Sequence, residues 1–239
     1  CVGYKNAVAG VLPTGTGNDF ARYFGDLSAF DSIESQLKGK PKVIDVIRCK
    51  YIENGKIVQR YCSNMINIGF DSNVVVKTAE IRKKGTFSGS LAYLFGVLIT
   101  LIKKKGADLK IQLDNGYVHD GPLLLTAICN GRYCGGGVKN SPESVIDDGM
   151  LEVSVVKDVS RFRFLRLFPL YRKGTHLKKL KRTEILDYNQ AKKIYITSNE
   201  GEMTVSNDGE IIYTKQLQLE VVPSAVRFSV PEGCEGDIE

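Results

Sequence analysis

The sequence predicts an α/β layer followed by a mainly antiparallel β-sandwich. Three observations carry that expectation. An apolar run, Ala7-Val-Ala-Gly-Val-Leu12, leads through a turn containing Gly15 and Gly17 into a short helical stretch. Past Pro41 the texture changes to alternation at period two, with Asn54-Gly55 and Asn115-Gly116 where hairpins turn. Short strand candidates separated by turn residues then recur along the rest of the chain, the pattern of a sandwich.

In chain order, residues 7–12 read as a buried strand. Helical positions follow at about 19–24 and, more polar, at 28–37. Residues 43–52 form a strand, and 56–68 return from the Asn54-Gly55 turn as another. Further strands are expected at 109–113, 123–130, 151–156, 193–197, 202–206 and 217–222, and a strand at 226–230 is expected to return to the first layer. Helical segments near 88–104 and 161–171 interrupt this series. The division that results is 1–41, 42–222 and 223–239. The chain opens on Cys1 without an initiator methionine, and no strand precedes residues 7–12 to pair with them. We therefore expect the later part of a longer protein.

The 239 residues carry 33 Lys+Arg against 27 Asp+Glu, a net +6 that suits an anionic ligand or membrane surface and falls far short of a nucleic-acid footprint. Six cysteines without a C-x-x-C pair, and only His119 and His176, leave no zinc ligand cluster and read as reduced thiols of a cytosolic protein. The longest apolar run, residues 91–102, is too short to span a bilayer as a helix, and no signal peptide precedes it. A cytoplasmic protein with peripheral membrane attachment is the expectation.

Four stretches could carry chemistry. Thr14-Gly-Thr-Gly-Asn-Asp19 lets backbone N–H groups face an anion at a helix start; a plain turn with Asn18 as N-cap accounts for the same residues. It is not a P-loop, since no Gly-Lys-Ser/Thr follows. Asp19 would repel a phosphate unless Mg²⁺ lay between them. Asn130-Gly-Arg-Tyr-Cys-Gly-Gly-Gly137 marks a tight backbone passage, and Asp147-Asp148-Gly149 either offers carboxylates to a hard cation or simply turns into the next strand. Asp208-Gly209 is a hairpin turn, after which Glu210 is either a solvated strand residue or a carboxylate held to accept a hydroxyl proton. The tract from Arg161 to Arg182 sets positive charge beside bulky apolar residues. It reads as a solvated face or as a surface for anionic lipid, and no recognised motif supports nucleic acid.

Taken in order, Leu12-Pro-Thr-Gly-Thr-Gly-Asn-Asp-Phe-Ala-Arg22, Asn130 through Gly137, Pro142 through Gly149, Gly174-Thr-His176 and Asp208-Gly-Glu210 resemble the diacylglycerol kinase catalytic family, the soluble lipid kinases that include bacterial diacylglycerol kinases and sphingosine kinases. The resemblance implies the remnant of an α/β nucleotide-binding domain followed by a β-sandwich domain, with the active site in the cleft between them. It assigns Thr14, Gly15, Thr16, Gly17 and Asn18 to the nucleotide phosphate site, with Arg22 at its anionic end. Asp19 falls to catalysis and the magnesium network, Glu210 is the general base, and Asp148 with the carbonyls of Ser144 and Met150 forms a structural magnesium site.

ATP and Mg²⁺ are the implied cofactors, and a lipid hydroxyl, foremost that of diacylglycerol, is the implied acceptor. The family's Gly-Gly-Asp-Gly-Thr motif does not occur in these 239 residues, so the chain by itself is expected to be an inactive fragment. Expected partners are the lipid substrate and an anionic membrane surface, with a homodimer allowed and nucleic acid excluded. NAD kinase and a non-enzymatic lipid- or membrane-binding regulatory domain are the competing readings.

Overall fold

Alternation at period two does most of the building in this computed structural model, which describes residues 1–15, 17–83, 106–180 and 183–234. Thr16, the helical stretch expected near 88–104 and the Lys181-Arg182 end of the basic tract lie outside the described residues. β1 (Val8–Ala9), β2 (Lys40–Glu53), β3 (Lys56–Cys62), β5 (Ala107–Leu113), β6 (Val118–Leu123), β10 (Lys193–Ser198) and β13 (Gln216–Val230) form one sheet. Its order is β3-β2-β13-β10-β5-β6, with β1 parallel to β13. The other sheet has the order β12-β11-β4-β7-β8-β9, built from β4 (Met65–Gly69), β7 (Leu125–Cys129), β8 (Leu151–Val156), β9 (Leu186–Ala191), β11 (Met203–Asn207) and β12 (Glu210–Thr214).

The main core lies between the sheets. Ile47, Leu109, Ile111, Ile194 and Leu219 from the first meet Ile66, Ile68, Ile128, Val153 and Val205 from the second. Removing these aliphatic faces from water is the principal gain that holds the sandwich. A smaller core joins α1 (Asp19–Arg22) and the 3₁₀ turn Leu27–Phe30 to the strands through Phe24, Phe30, Ile44, Ile146 and Phe228, with the Phe24 and Phe228 rings stacked at 5.1 Å. β2 and β13 thus serve both cores.

Several expectations need correction. The strand at 7–12 shrinks to two residues, because its pairing with β13 covers one side only and leaves Val8 and Leu12 exposed. The helix at 28–37 breaks at Ser32, whose Oγ accepts from Ser35 N and starts α2 (Ile33–Lys38) afresh. The strand at 56–68 is two strands in different sheets, because the chain crosses over at Ser63-Asn64. The strands at 217–222 and 226–230 are one strand, with a register shift between Val222 and Val226. β6 and β9 were not expected, and both are edge strands with half a ladder each and polar or Gly/Pro-containing sequences. β12 is the strand that returns from the Asp208-Gly209 turn, with Glu210 as its exposed first residue. α3 (Phe70–Lys83) and α5 (His176–Leu180) also carried no clear signal, whereas α4 (Arg161–Arg172) lies where helical spacing predicts it.

Candidate functional site

The loop before α1 is fastened by its own asparagine. Asn18 has φ 52°, and its Nδ2 donates to the carbonyls of Pro13 (2.9 Å) and Gly15 (2.7 Å). It therefore staples the loop: Asn18 holds the N-cap position, as the turn reading expects, but its side chain makes no cap to the helix. Asp19 follows and points at the triple-glycine loop 117 positions on. Gly136 N donates to both of its carboxylate oxygens (3.1 and 3.0 Å) and Gly137 N to Oδ1 (2.8 Å). Gly135, Gly136 and Gly137 all have positive φ, which lets successive N–H groups turn toward one anion.

Arg22 completes this corner. Its Nε donates to Gly17 O (3.1 Å) and lies 3.9 Å from Asp19 Oδ1. A Cβ on Gly17 would sit 2.8 Å from Asp19 Oδ2, so only glycine fits there without displacing the carboxylate. Burial raises the Asp19 pKa above the usual carboxylate range, opposed by the two N–H bonds and by the Arg22 charge. Thr14 and Gly15 lie in the same loop, so the described members of the sequence-predicted phosphate site, Thr14, Gly15, Gly17 and Asn18, stand beside Asp19 and Arg22.

A second line of hydrogen bonds starts at Asp208, two residues before Glu210, and runs to Tyr133 beside the same glycine loop. Glu210 opens β12, is exposed, and pairs with Arg60 Nη1 at 2.9 Å. Two residues earlier, Asp208 sits at an exposed turn with φ 47°, yet its carboxylate is tucked inward. It accepts from the N–H groups of Ser63 (2.7 Å), Asn64 (3.2 Å) and Met65 (2.9 Å) and from the Cys62 thiol (3.1 Å). That cluster makes the crossover between the sheets. The Asn64 carbonyl in turn accepts from Asn130 N and Gly131 N, and Asn64 Nδ2 donates to Tyr133 O at 2.9 Å. Asn130 Nδ2 holds the carbonyls of Asp45 and Ser63. Sequence reasoning read Asp208 only as a turn residue and missed Asn64, Asp45 and Arg60; the Asn130 motif was the one available signal.

The third cluster surrounds Asp148. Buried Asp45 accepts from Gly149 N and Ser224 N, both at 2.7 Å, fixing the Asp147-Asp148-Gly149 turn against the bulge of β13. Asp148 Oδ1 accepts from Met150 N at 2.9 Å, and Asp147 pairs with Lys42. Burial raises the Asp148 pKa, and the charges of Asp45 and Asp147 add to it. That field suits a cation. The Ser144 carbonyl, however, accepts from Arg132 Nε at 2.9 Å, so one of the three expected oxygens faces a guanidinium. At the other corner, Asp19 Oδ2 keeps lone-pair capacity beyond its Gly136 bond, which fits a hard oxygen-seeking ion or its bound water.

An apolar cleft opens to solvent beside the second sheet, between β7, α4 and α5. Leu124, Leu125, Phe164, Leu167, Phe168 and Ile185 line it, and buried His176 is its imidazole. Burial lowers the His176 pKa to about 4, so the ring is neutral at physiological pH. Among the described residues, no helix is long and apolar enough to cross a membrane.

Residues 64–230 match the family described as the YegS C-terminal NAD kinase beta sandwich-like domain. The chain belongs to the YegS and diacylglycerol kinase family. It is 30% identical over 233 residues to a protein of Stenotrophomonas maltophilia (strain K279a) named "Probable lipid kinase YegS-like", covering 94% of this chain and 69% of that one. It is 26% identical over 227 residues to the "Diacylglycerol kinase" of Mycobacterium tuberculosis (strain ATCC 25618 / H37Rv), covering 93% and 69%. A crystal structure of a diacylglycerol kinase from Bacillus anthracis str. Sterne shares the fold with a TM-score of 0.62 at 21% identity, over 95% of this chain and 68% of that one.

Proposed function

We propose that this chain supplies the acceptor-binding sandwich and part of the catalytic surface of an ATP-dependent lipid kinase, with diacylglycerol the first candidate acceptor. The observation that carries this reading is the placement of the apolar cleft and the Asp19 corner at opposite ends of β7. Leu125 lines the cleft, Cys129 ends the strand, and the glycine loop that holds Asp19 follows at residues 135–137. Four residue steps of strand span roughly 14 Å. In this reading a lipid with its chains in the cleft directs its hydroxyl toward the loop.

Phosphoryl transfer needs positioning and charge stabilisation more than covalent help. In this reading the backbone of Thr14 to Asn18 faces the nucleotide phosphates, with Thr16 included as a sequence assignment, and Arg22 balances their charge. Mg²⁺, when bound, would spread the charge of the transferred group, held through Asp19. Asp148 with the Ser144 and Met150 carbonyls is retained as a structural magnesium position, with Arg132 as the competitor for Ser144. Glu210 takes the proton of the attacking hydroxyl, and Arg60 keeps it extended until the acceptor arrives.

The test is a product analysis. Full-length protein incubated with labelled ATP, Mg²⁺, a panel of lipids and NAD should yield a phosphorylated lipid, and Glu210→Gln should abolish that product while the thermal midpoint stays unchanged. Label appearing in NAD, or no ATP-dependent product beside intact lipid binding, would overturn the reading in favour of its two competitors.

A further inference from the structure

α4 is apolar on two opposite sides. Phe164, Leu167, Phe168 and Tyr171 recur at helical spacing and line the cleft. On the far side, Phe162 is 80% exposed and Leu165 is 52% exposed, with Pro169 one turn further on. A solvated surface helix normally presents only polar residues there. The twelve residues of this helix also contain four arginines, at 161, 163, 166 and 172, and no carboxylate. Arg166 falls on the same stripe as Phe162, and Arg163 flanks it. Lys173, Lys178 and Lys179 extend the positive charge beyond the helix.

We infer that the outer face of α4 docks on an anionic lipid surface, with Phe162 and Leu165 inserted among the headgroups and the arginines paired with lipid phosphates. Charge decides the occupant. A protein partner for two apolar side chains would not require Arg163 and Arg166 around them on a helix without carboxylates, whereas an anionic bilayer matches that charge. The same helix walls the cleft with its inner side, so docking would hold the cleft next to the membrane. The purpose of this surface rests on the lipid-kinase reading, but its existence does not, and the two can fail separately.

The chain contains no tryptophan, so Phe162→Trp gives a single reporter. With phosphatidylglycerol vesicles and no nucleotide present, its emission should shift to the blue and be quenched by bromine-labelled acyl chains. Phosphatidylcholine vesicles, or 0.5 M salt, should remove most of the shift. In flotation with the same vesicles, Phe162→Ser/Leu165→Ser and, separately, Arg163→Glu/Arg166→Glu should each reduce binding by about tenfold or more, with circular dichroism verifying the fold. An unshifted reporter, or binding unchanged in both double variants, overturns the inference and leaves the face to a protein occupant. Binding lost in the variants while a water-soluble short-chain acceptor is still phosphorylated at the parental rate supports docking as a function separate from the chemistry.

Discussion

Asp208→Asn tests whether one carboxylate fastens the crossover between the two sheets. The substitution keeps the shape of the side chain, and asparagine tolerates the 47° φ at this position, so backbone strain does not cloud the result. Asp208 Oδ1 accepts from Met65 N at 2.9 Å and Asn64 N at 3.2 Å, and Oδ2 accepts from Ser63 N at 2.7 Å. An amide supplies only one acceptor oxygen. If it stays with Met65 and Asn64, its NH₂ faces the Ser63 N–H, so a charge-assisted bond worth about 1.5–3 kcal/mol is replaced by two opposed donors, and the remaining bonds lose the benefit of the charge.

A total loss of about 3 kcal/mol is expected, which for a chain of this size lowers the thermal midpoint by about 6–12 °C. Far-ultraviolet circular dichroism during heating, and urea unfolding with unchanged slope, measure it. Because Glu210 stands two residues away, turnover in the full-length protein should also fall at temperatures where the variant is fully folded. A midpoint within about 1 °C of the parent would show that the four donors around Asp208 do not depend on its charge, and the proposed link from the hairpin to the glycine loop would be lost.

Asp19→Asn keeps one acceptor for the glycine loop but removes the charge, so phosphoryl transfer by the full-length protein should fall about 10²–10³-fold with little change in midpoint; a rate within threefold of the parent contradicts its role. Gly131→Ala places a Cβ 2.1 Å from Asn64 Oδ1, and because Asn64 is pinned through Tyr133 O, a cost of about 1–3 kcal/mol is expected in urea unfolding. His176 has a folded pKa near 4 against 6.5 unfolded, so the unfolded chain binds the extra proton; its contribution is complete above about pH 6.5 and is lost as pH falls toward 4. Between pH 7.5 and 5 this amounts to about 2 kcal/mol, and His176→Gln should flatten that part of the stability profile.

Where one face of a strand packs on the core and its centre is paired on both sides, alternation alone located it: β2, β8 and β10 lie close to the expected spans. Two edge strands, β6 and β9, escaped notice because they satisfy fewer ladder bonds and tolerate Asp120, Gly121 and Pro122 in β6 or Asn189 and Gln190 in β9. The same divide holds at the site. Gly15, Gly17 and Asp19 stood out by composition, as did the triple glycine, but nothing local indicated that Asp19 would meet Gly136 and Gly137. That contact depends on β2 and β13 carrying the first segment to the end of β7. Asn64 had no signal, because its work is done through its main-chain carbonyl and an amide directed at Tyr133.

The position of β13 bears on how the chain is made. It follows every other described strand in sequence, yet it lies between β2 and β10 in the middle of its sheet and also receives β1, with Val8 meeting Arg227. Until residues 216–230 leave the ribosome, the β2–β3 hairpin and the β10–β5–β6 group are separate ribbons with open borders, and the nascent polypeptide must be kept from joining its neighbours. Maturation should therefore be abrupt and late, and a stalled translation product that stops short of residue 216 should be captured by chaperones or precipitate.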